Sequence, residues 1–227
     1  MDPSQRTWTV AQVAARLEAT LLRPEATAAD VARLCATALQ RAVRGVCVAP
    51  VYVAAAAQLV AGSGLRTVTV AGFPSGATVT AAKVAEVRAA AQAGADEVDC
   101  VAPYGRLLGG EEAAVAADLE AVVGAAHAVG LAAKVIVEAA ALPPALLRRA
   151  CHLAVDAGAD WVKSSTGFGP GGATVAGVRA MRAAVGDRAR VKAAGGIRGW
   201  SDAVALLEAG ADSLGCSAVE QLLAGPG

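Results

Sequence analysis

Aromatic residues are scarce in this 227-residue chain, at 3% of the sequence, although 56% of its residues are hydrophobic. A core of ordinary size must therefore be built mainly from valine, leucine and alanine. The length suits one barrel-sized domain or two small ones, and no linker, low-complexity tail or run of charge divides the chain. We expect residues 1–227 to form a single domain.

An excess of charge of either sign is also missing, because 20 basic side chains cancel 20 acidic ones. A chain without a basic field is not expected to bind nucleic acid or an anionic membrane surface. Any anionic ligand must instead be captured locally by a few groups. This pattern favours a small-molecule partner.

Cysteine pairs are absent from the pattern, since the five cysteines are odd in number and form no Cys-x-x-Cys motif. We expect free, packed thiols in a reduced cytoplasmic protein. The first 20 residues are polar and interrupted by charge, so no signal peptide is predicted. Residues 45–65 carry no charge, but Pro50 and Gln58 interrupt them, which is typical of a strand and a helix rather than a membrane span.

Histidine is nearly absent as well, and the two present, His127 and His152, fall in predicted helices. No grouping of His, Cys and Asp has the spacing of a metal site. We expect the protein to use neither a metal ion nor another cofactor.

Short β-branched runs alternate with alanine-rich helical stretches along the whole chain. This alternation predicts parallel strands joined by helices, and eight such units in this length favour a closed barrel over an open sheet. We therefore predict an α/β fold, a (β/α)8 TIM barrel, with an additional N-terminal helix that a Thr9–Gln12 capping box opens. The first run could instead end the N-terminal helix. The predicted strands are Leu17–Leu21, Gly45–Ala49, Thr67–Phe73, Asp96–Val101, Ala132–Glu138, Asp160–Ser164, Arg190–Ala194 and Asp212–Cys216.

A four-residue repeat supports this architecture. Ala-Gly-Ala-Asp occurs at residues 93–96, 157–160 and 209–212, each time between a predicted helix and a predicted strand. Glycine supplies the left-handed residue that ends a helix before the chain enters the sheet. Three copies of one junction indicate a regular alternating fold.

Lysine is rare, with 4 residues against 16 arginines, and 3 of the 4 lie in predicted strands. A buried strand is a costly place for an ammonium group. Unlike arginine, lysine can lose its proton and attack a carbonyl carbon. Lys134, Lys163 and Lys192 could be structural ion-pair partners or phosphate contacts. Two of them, Lys163 and Lys192, end successive strands before glycine-rich loops, which favours Schiff-base chemistry at Lys163.

Asp99 lies in the middle of a predicted strand and shares a face with Glu97. A carboxylate at this depth should have a cationic partner. One interpretation is a static pair with Lys163 or Lys192. The other adds proton transfer, directly or through a water.

Two glycine-rich loops follow strands six and seven, at residues 166–172 and 194–198. Backbone N–H groups in such loops can approach an anion, and these loops form the usual phosphate site of this fold. Glycines also make ordinary turns, so each loop alone is weak support. The first could pass for a dinucleotide-binding loop, but Pro170 interrupts it and the loop lacks a good strand–helix–strand context with an acidic residue about 20 residues on.

The same residues resemble a known family, the deoxyribose-phosphate aldolases, over nearly the whole chain from about Leu17 to about Val219. The motifs that carry the resemblance, in order, are Val-Cys-Val-Ala-Pro, Gly-Phe-Pro-Ser-Gly-Ala-Thr, Gly-Ala-Asp-Glu-Val-Asp, Lys-Val-Ile-Val-Glu, Val-Lys-Ser-Ser-Thr-Gly-Phe and Val-Lys-Ala-Ala-Gly-Gly-Ile-Arg.

This resemblance implies a metal-free class I lyase of deoxyribose phosphate catabolism. It would interconvert 2-deoxyribose 5-phosphate with acetaldehyde and glyceraldehyde 3-phosphate. Lys163 is similar to the Schiff-base lysine, Lys192 to a second lysine that helps it lose a proton, and Asp99 to the acid that shuttles protons through a water. Matched substrate positions are Thr20, Cys47, Lys134 and Thr166, and matched phosphate positions are Gly167, Gly195, Gly196, Gly215 and Ser217.

Four positions depart from the family pattern: Glu18 replaces an aspartate, and alanine stands at residues 49, 139 and 194. Each departure removes or moves a hydrogen bond near the expected site. They keep open a sugar-phosphate-binding barrel that has lost catalysis. A transaldolase-like Schiff-base barrel is the competing enzyme. The fold suits a homodimer, although no surface patch in the sequence identifies an interface.

Overall fold

The computed structural model describes residues 8–225. Its first helix, α1 (Val10–Ala14), opens with the predicted capping box. The Thr9 hydroxyl accepts the Gln12 N–H at 3.2 Å, and the Gln12 side chain accepts the Thr9 N–H at 3.0 Å. Reciprocal bonds of this kind satisfy N–H groups that a helix start leaves unpaired. The additional N-terminal helix is confirmed.

Eight parallel strands pair in sequence order, and β1 pairs with β8 to close the barrel. This confirms the predicted (β/α)8 fold and settles residues 17–21 as a strand. The strands are β1 (Leu17–Leu21), β2 (Gly45–Val48), β3 (Arg66–Ala71), β4 (Glu97–Val101), β5 (Ala132–Ile136), β6 (Trp161–Lys163), β7 (Arg190–Ala194) and β8 (Ser213–Cys216).

Helices cover the outside of the barrel. They are α2 (Ala28–Gln40), α3 (Val53–Val60), α4 (Thr80–Gln92), α5 (Tyr104–Leu108), α6 (Glu112–Ala128), α7 (Pro144–Asp156), α8 (Val175–Val185), α9 (Trp200–Glu208) and α10 (Val219–Leu222). Short 3-10 turns at Pro50–Tyr52 and Ala139–Ala141 precede α3 and α7.

Four strands, β2, β3, β5 and β6, end one or two residues earlier than the sequence predicts at the carboxyl side of the barrel. The predicted strand to Phe73 ends at Ala71 because Gly72 adopts a φ of 62°. The predicted strand to Glu138 ends at Ile136, and Glu138 itself has a φ of 51°. Left-handed residues cannot continue a strand, so these positions begin the loops of the barrel mouth.

The repeated Ala-Gly-Ala-Asp junctions are nearly identical in structure. Gly94, Gly158 and Gly210 all have positive φ values of 91°, 86° and 108°. Each aspartate after the glycine accepts a backbone N–H of the preceding strand at 2.8 Å, from residues 67, 133 and 191. The repeat therefore both ends a helix and ties two neighbouring strands together.

The apolar core lies between the strands and the helices, and valine, leucine and alanine dominate it as predicted. The interior of the barrel is different. Branched apolar side chains usually fill such an interior. Here alternate strand residues turn charged groups inward, and the fully or nearly fully buried ones are Glu18, Glu97, Asp99, Lys134, Lys163 and Lys192.

Two further expectations concern the membrane and the cysteines. Within residues 8–225, no helix combines the length and apolarity that crossing a bilayer requires. All five cysteines are buried free thiols, as predicted.

Candidate active site

Asp99 lies at the centre of the barrel and contacts three lysines. Its Oδ2 accepts hydrogen bonds from Lys163 Nζ at 2.8 Å and from Lys192 Nζ at 2.7 Å. Its Oδ1 lies 2.9 Å from Lys134 Nζ. The strand register produces this meeting, because Asp99 pairs with Lys134 on β5 and Lys163 pairs with Lys192 on β7.

Two glutamates extend the cluster below Asp99. Glu18 contacts Lys192 and lies 2.5 Å from Arg44 and 3.7 Å from Lys134. Glu97 lies 2.5 Å from both Arg44 and Lys134. The longer side chain of Glu18, where the family has aspartate, spans from Lys192 to Arg44. We call these seven residues the barrel charge cluster; they are Glu18, Arg44, Glu97, Asp99, Lys134, Lys163 and Lys192.

The cluster holds two of its carboxylates, Asp99 and Glu97, in the ionised form. Burial alone would raise the pKa of Asp99, but the positive charges of Lys134, Lys163 and Lys192 hold it well below its usual range. For Glu97, burial is likewise outweighed by Arg44 and Lys134, which lower the pKa to about 2. Opposite charges at these distances favour the charged form of each partner.

Two of the lysines are held as cations by the same contacts. Burial would lower the pKa of Lys192, but the charges of Asp99 and Glu18 raise it above its ordinary value. The pKa of Lys134 is raised too, again because Asp99 and Glu18 outweigh burial. Lys192 and Lys134 are therefore poor nucleophiles, since an ammonium group has no free electron pair.

Lys163 differs from them in exposure and in pairing. A cavity of about 840 Å³ opens at the carboxyl ends of the strands, and Lys163 is the only lysine of the four that lines it. All four lysines belong to the described residues. Within those residues Lys163 makes one ion pair, with Asp99, which Lys134 and Lys192 share. An amine with access to a cavity and little compensating charge is suited to attack a carbonyl carbon.

The predicted glycine loops form one wall of this cavity, and residues of α2 also line it. Gly167, Gly195 and Gly196 line it and have φ values of 86°, 84° and 75°, which only glycine adopts without strain. The loops pack directly on each other, because a side chain at Gly172 would lie 2.2 Å from the Gly195 carbonyl oxygen. The wall therefore presents backbone to a ligand, as an anion site requires.

The remaining predicted phosphate residues lie on the same wall. Gly215 and Ser217 both line the cavity beside Thr20. A side chain at Gly215 would come within 3.3 Å of Lys192 Cε, so glycine leaves room for the stem of that lysine. One residue thus serves both the wall and the charge cluster.

Thr166 fixes the start of the first glycine loop. Its hydroxyl donates to Glu138 Oε2 at 2.5 Å and accepts the Phe168 N–H at 3.1 Å. The Thr166 N–H also donates to Glu138 at 3.3 Å. Glu138 is buried, and Gly169 packs against its carboxylate. The loop is held from below by one carboxylate.

Two predicted substrate residues lie away from the cavity surface. Cys47 is fully buried among Val68 and Val70, and burial raises the pKa of its thiol to about 11. Lys134 is fully buried within the charge cluster. Thr20 and Thr166 do line the cavity. Direct contact of Cys47 or Lys134 with a substrate stays a prediction.

Sequence reasoning missed three residues of this region. The sequence alone assigns no role to Arg44 or Glu138, and it places Glu97 only on the same strand face as Asp99. The alternation of β4 is the signal that could have found Glu97. For Arg44 the signal is its position directly before a strand, where the repeat carries aspartate.

Metal ligands are not grouped in the described part of the chain. Within residues 8–225, no set of three or more His, Cys, Asp or Glu side chains is arranged to hold a metal ion. His127 lies on α6 and His152 on α7, as predicted. His127 instead contacts Asp160 at 2.9 Å on the opposite face of the barrel.

Comparison with known proteins matches this architecture. The profile of the DeoC/LacD family aldolases covers residues 12–220. The deoxyribose-phosphate aldolase of Mycobacterium avium is 50% identical over 96% of this chain and 99% of the relative. That of Desulfitobacterium hafniense is 45% identical over 93% of this chain and 97% of the relative. The solved deoxyribose phosphate aldolase of Aeropyrum pernix superimposes with a TM-score of 0.86 at 33% identity, covering 95% of this chain and 91% of that one.

The buried lysines, the glycine wall and these likenesses lead to one assignment: the chain belongs to the DeoC/LacD family of aldolases.

Proposed function

We propose that the protein is a class I deoxyribose-phosphate aldolase that cleaves 2-deoxyribose 5-phosphate to acetaldehyde and glyceraldehyde 3-phosphate. The observation that carries the proposal is Lys163 Nζ, which lines the cavity 2.8 Å from a buried carboxylate and faces a wall of backbone glycines. Two relatives that are 50% identical to this chain are named deoxyribose-phosphate aldolases, which supports this choice of substrate.

The nucleophile of the proposed reaction is the side-chain amine of Lys163. Its nitrogen attacks C1 of the open-chain aldehyde, and the carbonyl electrons move to the oxygen, which takes up a proton. The amine loses a proton, and the carbinolamine then leaves its hydroxyl as water to give a protonated imine. Asp99, hydrogen-bonded to Lys163, passes these protons through a water molecule.

The positive imine withdraws electrons from the bond to be broken. The C2–C3 bond breaks, its electron pair becomes the C1=C2 bond of an enamine, and the C3 hydroxyl proton passes to Asp99 through water. Glyceraldehyde 3-phosphate leaves. A proton then adds to C2, and hydrolysis of the imine releases acetaldehyde and restores the lysine.

The other groups bind and orient. Lys192 stays a cation beside Asp99, and it opposes protonation of Lys163 by its charge. The N–H groups of Gly167, Gly195 and Gly196, with the Ser217 hydroxyl, receive the phosphate. Thr20 and Thr166 line the same cavity as Lys163 and the glycines, and their side chains bind the sugar hydroxyls.

A product assay tests the activity. The protein is incubated with 2-deoxyribose 5-phosphate, acetaldehyde and glyceraldehyde 3-phosphate are measured separately, and unphosphorylated 2-deoxyribose serves as the control. We expect both products in equal amounts, and at least about a hundredfold lower kcat/KM without the phosphate, because charge-assisted hydrogen bonds to it are lost.

Other outcomes would contradict the proposal. Binding of the sugar phosphate without either product would mark a barrel that has lost catalysis. Transfer of a three-carbon ketone unit between sugars, without free acetaldehyde, would mark a transaldolase-like enzyme.

We also propose that residues 1–227 act as one domain in the cytoplasm, as a homodimer, without a cofactor. The single closed barrel and the five free, buried thiols support the first two statements. Light scattering on the purified protein tests the third, and a mass of one chain would contradict it. Full activity after dialysis against a chelator tests the fourth.

A further inference from the structure

Arg44 occupies a position in the barrel that is equivalent to those of the three aspartates of the Ala-Gly-Ala-Asp repeat. It directly precedes β2, as Asp96, Asp160 and Asp212 precede β4, β6 and β8. The backbone bonds are equivalent, since each of these four N–H groups donates to a carbonyl of the preceding strand at 2.8–3.0 Å. The aspartates point to the outer rim, with side chains 38–43% exposed, but Arg44 is only 16% exposed.

The Arg44 side chain turns inward and closes the amino end of the barrel. Its guanidinium contacts Glu18 at 2.5 Å and Glu97 at 2.5 and 2.9 Å. Its central carbon lies 4.8 Å from the centroid of the Trp161 ring, and Arg190 lies over the same ring at 5.1 Å. Arginine is suited to this place because it stays charged and pairs with two carboxylates at once.

Arg44 changes the balance of charge in the barrel charge cluster. The cluster has four basic groups, Arg44, Lys134, Lys163 and Lys192, and three carboxylates, Glu18, Glu97 and Asp99. With Arg44, Lys134 and Lys192 positive, the three carboxylates are already matched. A proton on Lys163 would therefore leave a net positive charge inside a buried cluster, which is unfavourable.

The other strands add no charge to this balance. The residues of β3 and β8 that pair in register with members of the cluster are Val68, Val70, Ser213 and Gly215. Cys47 on β2 is a neutral thiol. The charged residues around Arg44 at the outer rim lie in a cavity of about 620 Å³ open at the amino end; they are Arg66, Asp96, Asp160, Arg182, Asp187, Arg188, Arg190 and Asp212. Water and salt screen these rim charges more than those of the cluster.

We propose that Arg44 is a positioning residue for catalysis: as the fourth cation of the buried cluster, it makes Lys163 the one lysine that is neutral and available to the substrate. Without Arg44, three lysines would face three carboxylates, and Lys163 would keep its proton. This inference rests on the proposed role of Lys163 as the Schiff-base nucleophile.

The pH dependence of kcat/KM tests the inference, because it reports ionisation in the free enzyme. The variants are Arg44→Gln, Arg44→Lys, Glu97→Gln and the double variant Arg44→Gln/Glu97→Gln. We expect the acidic limb to move up by about 1 pH unit in Arg44→Gln and down by a similar amount in Glu97→Gln, as for removal of one neighbouring charge. Arg44→Lys and the double variant keep the balance between cations and carboxylates in the cluster. The acidic limbs of their pH profiles should therefore lie near that of the wild type.

Shifts of the acidic limb in opposite directions for Arg44→Gln and Glu97→Gln distinguish an effect of charge from structural damage. Structural damage would lower activity in both variants without shifting the limb in opposite directions. A limb for Arg44→Gln that coincides with the wild type, or moves down, would overturn the inference. If Arg44→Gln does not fold, Glu97→Gln decides in its place, and an unmoved or raised limb overturns the inference.

Borohydride trapping of the wild type keeps this test apart from that of the proposed function. A trapped adduct on Lys163 with unmoved limbs means that only the role of Arg44 is wrong. No adduct in the wild type would remove the nucleophile, and with it both proposals.

Discussion

The three lysines of the barrel charge cluster differ in the number of carboxylates that they contact. Lys134 and Lys192 each contact two or more carboxylates, whereas Lys163 contacts one that it shares. The rarity of lysine was enough to find all three from the sequence. The proposed division into two structural cations and one nucleophile rests on the distances, because the partners lie up to 174 residues away along the chain.

Thr166 offers a test at the scale of one hydroxyl. Thr166→Val keeps the shape but removes the donor to Glu138 and the acceptor for the Phe168 N–H. We expect a loss of about 1–3 kcal/mol of stability and a several-fold higher KM for 2-deoxyribose 5-phosphate. Thr166→Ser is the matched control and should stay near the wild type in both. Equal KM values for the two variants would contradict the role of the hydroxyl.

Neighbouring strands are linked by a repeated contact, in which an aspartate before one strand accepts a backbone N–H of the preceding strand. The sequence showed the repeat and predicted the left-handed glycine and the helix end. It did not show that each aspartate accepts an N–H from a strand about 20 to 30 residues earlier. That contact depends on the packing of the helix between the two strands, which spacing alone does not determine.

A substitution of Asp160 tests the contribution of this contact to stability. Asp160→Ala removes the acceptor of the Ala133 N–H, and we expect a loss of about 1–2 kcal/mol in the free energy of unfolding by urea. Asp156→Ala is the control, since Asp156 lies on the surface and forms an exposed ion pair with Arg188 at 3.1 Å. Such a pair contributes about 0–1 kcal/mol. Both variants should retain activity because they lie far from the cavity, and equal losses of stability would contradict the account.

The whole molecule places its main apolar core around the outside of the barrel and a cluster of buried charges inside it. The fold class, the eight strands and the glycine wall were predictable because alternation and glycine-rich loops are local signals. The closed charge cluster was not, because closure brings β1 against β8 and Arg44 against Glu97 across the interior. Glu18 was predicted only as a departure that would move a hydrogen bond, and in the structure it bridges two cations.

Stability towards acid tests this charged interior. The pKa of Glu97 falls from an ordinary 4.5 to about 2 in the folded protein, against the effect of burial, because of Arg44 and Lys134. A carboxylate with a lowered pKa stabilises the fold above its ordinary pKa, and this contribution is lost as the pH falls through 4.5 towards 2. It amounts to at most about 3 kcal/mol.

The check is urea unfolding of the wild type and of Glu97→Gln at several pH values. We expect the wild type to be the more stable at pH 7, and the difference to shrink steadily below pH about 4.5. A difference that stays constant down to pH about 2.5 would show that the Glu97 charge contributes nothing.

Reduction with sodium borohydride in the presence of 2-deoxyribose 5-phosphate is the most direct test of the central claim, that Lys163 forms a Schiff base. Wild type and Lys163→Arg are compared, with and without a chelator, by intact mass and peptide mapping. Arginine keeps the charge but forms no imine, so this variant should fold and gain no mass. The account predicts a substrate-dependent mass gain on Lys163 of the wild type that the chelator does not change. An adduct on another lysine, or the same gain in Lys163→Arg, would contradict it.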